Sequence, residues 1–189
     1  VATTVVRPGK KVALIEASLQ ADGEVVMRAA GWAIRIAELD LPEPSPAEPQ
    51  APPDKYEAMD PSTIVPPTTY LHGTEWRFVT GSFFAPGPAT AWIRTLVPLV
   101  DGEEDSPLVK VLAVADSASG VSGALDFREW IYINTDLAVY LHRLPRTEWI
   151  KIEATTTPAP TGIALTSARL YDLEGPIGTS SQALFIAPR

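Results

Sequence analysis

Between Ser106 and Gly120 the chain runs SPLVKVLAVADSASG, and positions 108, 109 and 111 to 115 are all apolar. Asp105 or Ser106 can cap a helix here, Pro107 suits its first turn, and Gly120 can close it. Such a helix has almost no polar face, so the pattern predicts one that is buried nearly all round. Something must therefore wrap around it.

The wrapping is supplied on both sides. Before the helix, EWRFVTG (Glu75 to Gly81) and ATAWIRTLVPLV (Ala89 to Val100) read as strands, separated by a Pro-Gly turn at Pro86 to Pro88. After it come REWIYINTDLAVYLHR, TEWIKIEATTT, GIALTSARLYDL and PIGTSSQALFIA, each strand-like and divided from the next by short turn signals. Connections this short cannot make parallel crossovers, so the sheet should be antiparallel and the fold class α+β.

Towards the N-terminus, KKVALIEASLQADGEVVMRAAGWAIRI reads as a hairpin turning at Asp22-Gly23. Prolines 42, 44, 46, 49, 52 and 53 follow, then 61, 66 and 67, removing backbone donors and favouring extended chain. The expected organisation is a terminal hairpin over 1–38, a proline-rich linker over 39–68 and a main domain over 69–189. The linker reads either as an exposed connector or as a docking site for a proline-recognising partner. The sequence opens at Val1, without Met and already in β-rich residues, as a fragment of something longer would.

The two ends of the chain also resemble each other. ASLQADGEVVMRAAGWAI (Ala17 to Ile34) can be laid on ARLYDLEGPIGTSSQALFI (Ala168 to Ile186) with one gap at the turn. Gly23 then meets Gly175, Val25 meets Ile177 and Trp32 meets Leu184. Either two amphipathic hairpins are alike by chance, or a domain has been duplicated. At one position the copies differ in kind: Gln182 stands where the first has Ala30.

Several classes of function are disfavoured. A formal charge of −8 and a pI near 4.7 argue against nucleic acid or an anionic membrane as the main partner. With no cysteine and only His72 and His142, neither a metal site nor any other cofactor is expected. No apolar run reaches the ~18 residues of a membrane span and no signal peptide is visible, so a cytoplasmic protein without membrane insertion is expected. A GxSxG elbow, a P-loop and a dinucleotide fingerprint are all missing.

Polar residues inside apolar runs mark the candidate site. Asp116 ends the apolar helix, where a carboxylate opposes the helix dipole and burial would remove its hydration. It reads either as a residue just past the helix end, in water or closing a turn with Ser117 and Ser119, or as a general base. INTD, Ile133 to Asp136, interrupts the next strand; it is a bulge or turn, or it presents Asn134 and Asp136 on one face and Thr135 on the other. His142 and Arg143 close that strand; the first reads as a packed or capping residue, the second as a solvated charge or a phosphate contact.

ADSASG on the helix, FREWIYINTDLAVYLHRLP, EWIKIEATTT and the terminal SSQALF together resemble the C-terminal half of the TesB-type acyl-CoA thioesterases, which carry two hotdog units in one chain. The likeness spans Glu75 to Arg189 and, more weakly, Val5 to Ile36. It implies a hotdog, an antiparallel sheet wrapped on a central helix, with an incomplete first unit. It also implies hydrolysis of an acyl-CoA, or a related acyl thioester, by a water activated by Asp116 and Gln182 together with a hydroxyl residue. That threonine of the family falls on Asn134 here, with Thr135 adjacent as a possible accessory. Two other readings stay open: an acyl-binding module without turnover, and a hotdog hydratase or dehydratase using His142. Exposed sheet edges lead us to expect a homo-oligomer.

Overall fold

The computed structural model describes residues 1–42, 50–66 and 69–189 and divides into two compact units, Val1–Ser45 and Pro46–Arg189. In the first unit, β1 (Ala2–Arg7), β2 (Val12–Ala21) and β3 (Glu24–Ile34) form a three-stranded antiparallel sheet in that order. The turn between β2 and β3 places both Asp22 and Gly23 at positive φ, 52° and 86°, the geometry that matches the twist of a two-residue hairpin. The expected hairpin is present, and β1 adds a third strand to it.

The second unit is a seven-stranded antiparallel sheet with a broken helix against one face. Its strands are β4 (Thr74–Ser82), β5 (Ala85–Thr95), β6 (Trp130–Asn134), β7 (Ala138–Leu141), β8 (Ile150–Pro158), β9 (Ile163–Asp172) and β10 (Gly175–Pro188). The order across the sheet is β4-β5-β8-β9-β10, with β6 and β7 both pairing to β10 at the far edge. The helical chain is α1 (Pro107–Ala115) followed by the single turn α2 (Ala118–Val121).

Alternation fixes which face meets the helix. Along β9, Ala164, Thr166, Ala168, Leu170 and Asp172 are buried while the residues between them are not. Leu170, Ile152 on β8 and Ala91 and Ile93 on β5 form the core with Val111, Val114 and Ala115 of α1 and Ala118 and Val121 of α2. A chain of buried hydroxyls adds a polar tie: Ser122 lies 2.8 Å from Thr156, which lies 2.7 Å from Thr166, and Ser122 donates to the Ala118 carbonyl.

Three local expectations change. The helix is not buried all round, because Leu108 and Leu112 are 45% and 40% exposed; its apolar residues cover more of the cylinder than the sheet can. The turn before β5 is at Phe83-Phe84, since Ser82 pairs with Ala85, and Pro86 to Pro88 lie within β5 beside a register shift. Prolines are tolerated at such irregularities, and Gly87 (φ 123°) donates its N–H to Gly123 instead of to a neighbouring strand. The strand expected to reach Val100 ends at Thr95.

Part of the proline-rich stretch read as a linker, 43–49 and 67–68, lies outside the described residues. Residues 50–66 lie within the second unit and pack onto it. Trp92, on the sheet face opposite the helix, donates to the Ala51 carbonyl at 3.0 Å, and Arg77 donates to that of Tyr56 at 2.9 Å. Met59 donates its N–H to the Trp76 carbonyl, and Lys151 meets Gln50. The segment is not extended throughout, since it makes short 3-10 turns at Pro53–Lys55 and Pro61–Thr63, and it forms a strap whose carbonyls serve the sheet's donors.

Arg143 makes a bidentate pair with Asp172, at 2.7 and 2.6 Å, joining the loop after β7 to the end of β9. The Asp172 side chain is fully buried. Burial works against its charge, but Arg143 and the N–H groups of Arg146 and Glu174 outweigh that and hold the carboxyl below its ordinary value. The contribution is present above the unfolded pKa, about 3.9, and is lost as pH falls through the lower folded value. Asp172→Asn should therefore cost about 3 kcal/mol in urea unfolding at neutral pH, and the difference from wild type should shrink on acidification below about pH 4.

Candidate active site

The helix breaks where the apolar run meets its carboxylate. Asp116 caps α1, its N–H still bonded to the Leu112 carbonyl, and Ser117 closes back on Val114 before α2 begins at Ala118. Asp116 is exposed at this break, so it escapes the full desolvation that a continuous buried helix would impose.

Two amides converge on one of its oxygens. Asn134 Nδ2 and Gln182 Nε2 each donate to Asp116 Oδ1 at 3.2 Å. Gln182 Nε2 also donates to the Asp116 carbonyl at 3.0 Å, and its Oε1 accepts the Ser119 N–H at 3.1 Å. Both hydrogens of this amide are thereby used, and the residue is 1% exposed. Gln182 clamps the helix break to β10, and its geometry is that of a positioning group. Asn134 is exposed, accepts the Ser119 hydroxyl at 2.9 Å and keeps one N–H outside these bonds. Asp116 Oδ2 accepts no hydrogen bond among the described residues.

A bulge aims Asn134. On β10, Leu184 pairs with Asn134 and Ser181 with Ala138, so Thr135, Asp136 and Leu137 lie opposite only Gln182 and Ala183. One extra residue is absorbed there. Thr135 gives both its N–H and its hydroxyl to the Ala183 carbonyl, and Asp136 accepts the Ala183 N–H at 2.7 Å. Thr135 and Asp136 therefore hold the bulge, and no hydrogen bond joins either of them to Asp116. His72 bonds to Thr69 and His142 donates its N–H to the Ile177 carbonyl; neither joins the cluster.

Tyr70 and Ser119 belong to the neighbourhood without having been singled out as site residues in the sequence. The Tyr70 hydroxyl donates to the Ala113 carbonyl at 2.9 Å, so at 3.0 Å it can accept from Ser117. Desolvation of the hydroxyl end and the Asp116 charge push the phenol above its ordinary value, while the Ser117 bond acts the other way. A cleft of about 240 Å³ opens here, lined by Tyr70, Leu71, Trp76 and Phe83 together with Asp116, Ser117, Ser119 and Gly120. Trp76 is fixed by its indole N–H, which donates to Thr74 at 2.7 Å.

Known proteins share this fold. Residues 42–186 match the family described as acyl-CoA thioesterase C-terminal domain. Among solved structures, a conserved hot dog fold protein of unknown function from Alicyclobacillus acidocaldarius is 18% identical, with a TM-score of 0.71 over 98% of this chain and 71% of that one. An acyl-CoA thioesterase II, TesB2, from Mycobacterium marinum is 20% identical, with a TM-score of 0.67 over 99% and 73%. A tesB protein from Mycobacterium avium subs paratuberculosis is 16% identical, with a TM-score of 0.63 over 98% and 70%. No curated protein matches. At these identities the structures share the fold, which is the hotdog.

Replacing Gln182 tests the clamp. Gln182→Leu leaves the Ser119 N–H and the Asp116 carbonyl without their partner in a part-buried setting, and should cost about 1–2 kcal/mol in urea unfolding. A cost near zero would show that the helix break is held elsewhere.

Proposed function

Because the chain belongs to the family of acyl-CoA thioesterase C-terminal domains, we propose that it hydrolyses an acyl-CoA, or a related acyl thioester, with Asp116 as general base. The observation that carries this reading is the convergence of Asn134 and Gln182 on Asp116 Oδ1, with Oδ2 left to accept from a water beside an apolar cleft.

The chemistry follows from that asymmetry. Two donors on Oδ1 fix the plane of the carboxylate and leave Oδ2 facing the water. A water donating to Oδ2 loses its proton to that oxygen as its own oxygen attacks the thioester carbonyl. The tetrahedral intermediate then expels the thiolate by breaking the carbon–sulfur bond. Asp116 returns the proton to the sulfur, leaving a carboxylic acid and a free thiol. Asn134, with an N–H to spare, orients the water or the developing oxyanion; Gln182 acts through Asp116, as a positioning residue.

Asn134 where the family carries threonine still provides a hydrogen-bonding group, now with both donor and acceptor. The Ser119 hydroxyl occupies its acceptor, which leaves the donor for the reacting groups. No described helix is long and apolar enough to cross a membrane. With the acidic, cysteine-free sequence, this supports assigning the activity to the cytoplasm, and we assign it to a homo-oligomer on the exposed strand edges.

Thiol release from a panel of acyl-CoAs, followed with a thiol-reactive dye, tests the reading. Asp116→Asn keeps the shape and removes the base, and should lower kcat by about 10²–10⁴-fold. Undiminished hydrolysis by the variant would remove Asp116 from the mechanism. Tight binding of acyl-CoA by wild type without turnover would make the protein an acyl-binding module instead.

A further inference from the structure

A wall of rings lines the cleft beside Asp116. Trp76 and Phe83 have centroids 5.0 Å apart, Phe78 and Phe83 lie edge to face at 5.1 Å, and Tyr70 meets Trp76 edge to face at 6.3 Å. Trp76 is 1% exposed and tied to Thr74, so the wall cannot withdraw without breaking the core. Phe83 differs: it sits in the two-residue turn between β4 and β5 and packs on the core only in part.

Capacity follows from size. A cleft of about 240 Å³ has room for about eight non-hydrogen atoms, taking the ~30 Å³ of a water as the measure. A tail longer than that meets Trp76 and Phe83, or leaves the cleft and stays in water.

We propose that this cleft selects compact acyl groups, either a straight chain of up to about eight carbons or one carrying a single phenyl ring, with Phe83 as the residue that sets the limit. The inference rests on reading the Asp116 cleft as the acyl-thioester site. It adds the substrate class, which neither the family nor the fold supplies.

The test compares acetyl-, butyryl-, hexanoyl-, octanoyl-, phenylacetyl-, dodecanoyl- and palmitoyl-CoA by thiol release, using wild type and Phe83→Ala. In wild type, kcat/KM should rise to hexanoyl, octanoyl and phenylacetyl and fall at least about ten-fold for dodecanoyl and palmitoyl. Phe83→Ala should move that fall to longer chains. Palmitoyl-CoA turned over as well as octanoyl-CoA would overturn the size limit, and a chain-length profile unchanged in Phe83→Ala would overturn the role of Phe83. If no acyl-CoA is hydrolysed, the hydrolase reading fails by itself. Calorimetric affinities for the matching S-alkyl and S-phenylalkyl CoA thioethers then decide the pocket: the same break supports it, and its absence sinks it.

Discussion

One buried amide holds the candidate site together. Gln182 projects from β10 towards the broken helix, and its two ends take the Ser119 N–H and both oxygens offered by Asp116, the carbonyl and the carboxylate. An unpaired amide in that position would be costly, so the break in the helix and the glutamine require each other. If α1 ran on unbroken through Ser117, the Asp116 carbonyl would be committed to the helix ladder and unavailable to the glutamine. Asn134 then completes a carboxylate with one oxygen anchored and one open, which an isolated helical aspartate in water would not be.

What the chain announces and what it conceals divide along the range of the interactions. Asp116 stands out because a charge follows a long apolar run, which is local information. Gln182 stands out because the matching position in the first hairpin is Ala30, a comparison made within the chain. Asn134 has no local mark beyond an interrupted strand and was reached through family resemblance. Tyr70 could not have been found by spacing, since its partners Ala113 and Ser117 lie 43 and 47 residues away. Ser119 was visible as a turn residue, but its contact with Asn134 depends on which strand lies across from the helix.

The fold was legible for a related reason. Alternation in β9 and β10 and the hairpin dipeptide at Asp22-Gly23 encode themselves within a few residues. Proline signals misled in both directions. Pro86 and Pro88 read as a turn, yet lie in a strand where the ladder is already irregular. The run from Ala51 onward reads as part of a connector, yet its carbonyls receive donors from Arg77 and Trp92. Lacking a donor of its own makes a proline a poor ladder member but leaves its neighbours free as acceptors, and only tertiary contacts show which fate applies.

The bulge at Thr135 to Leu137 separates two tasks that a regular strand would couple. β6 and β7 run along the same partner, β10, but each keeps its own register. The first register sets where Asn134 points; the second delivers Arg143 to its buried carboxylate. A joint that absorbs one residue between them lets the direction of Asn134 be adjusted without disturbing the anchor. The candidate site and the buried ion pair thus share one partner strand, β10, without sharing a register.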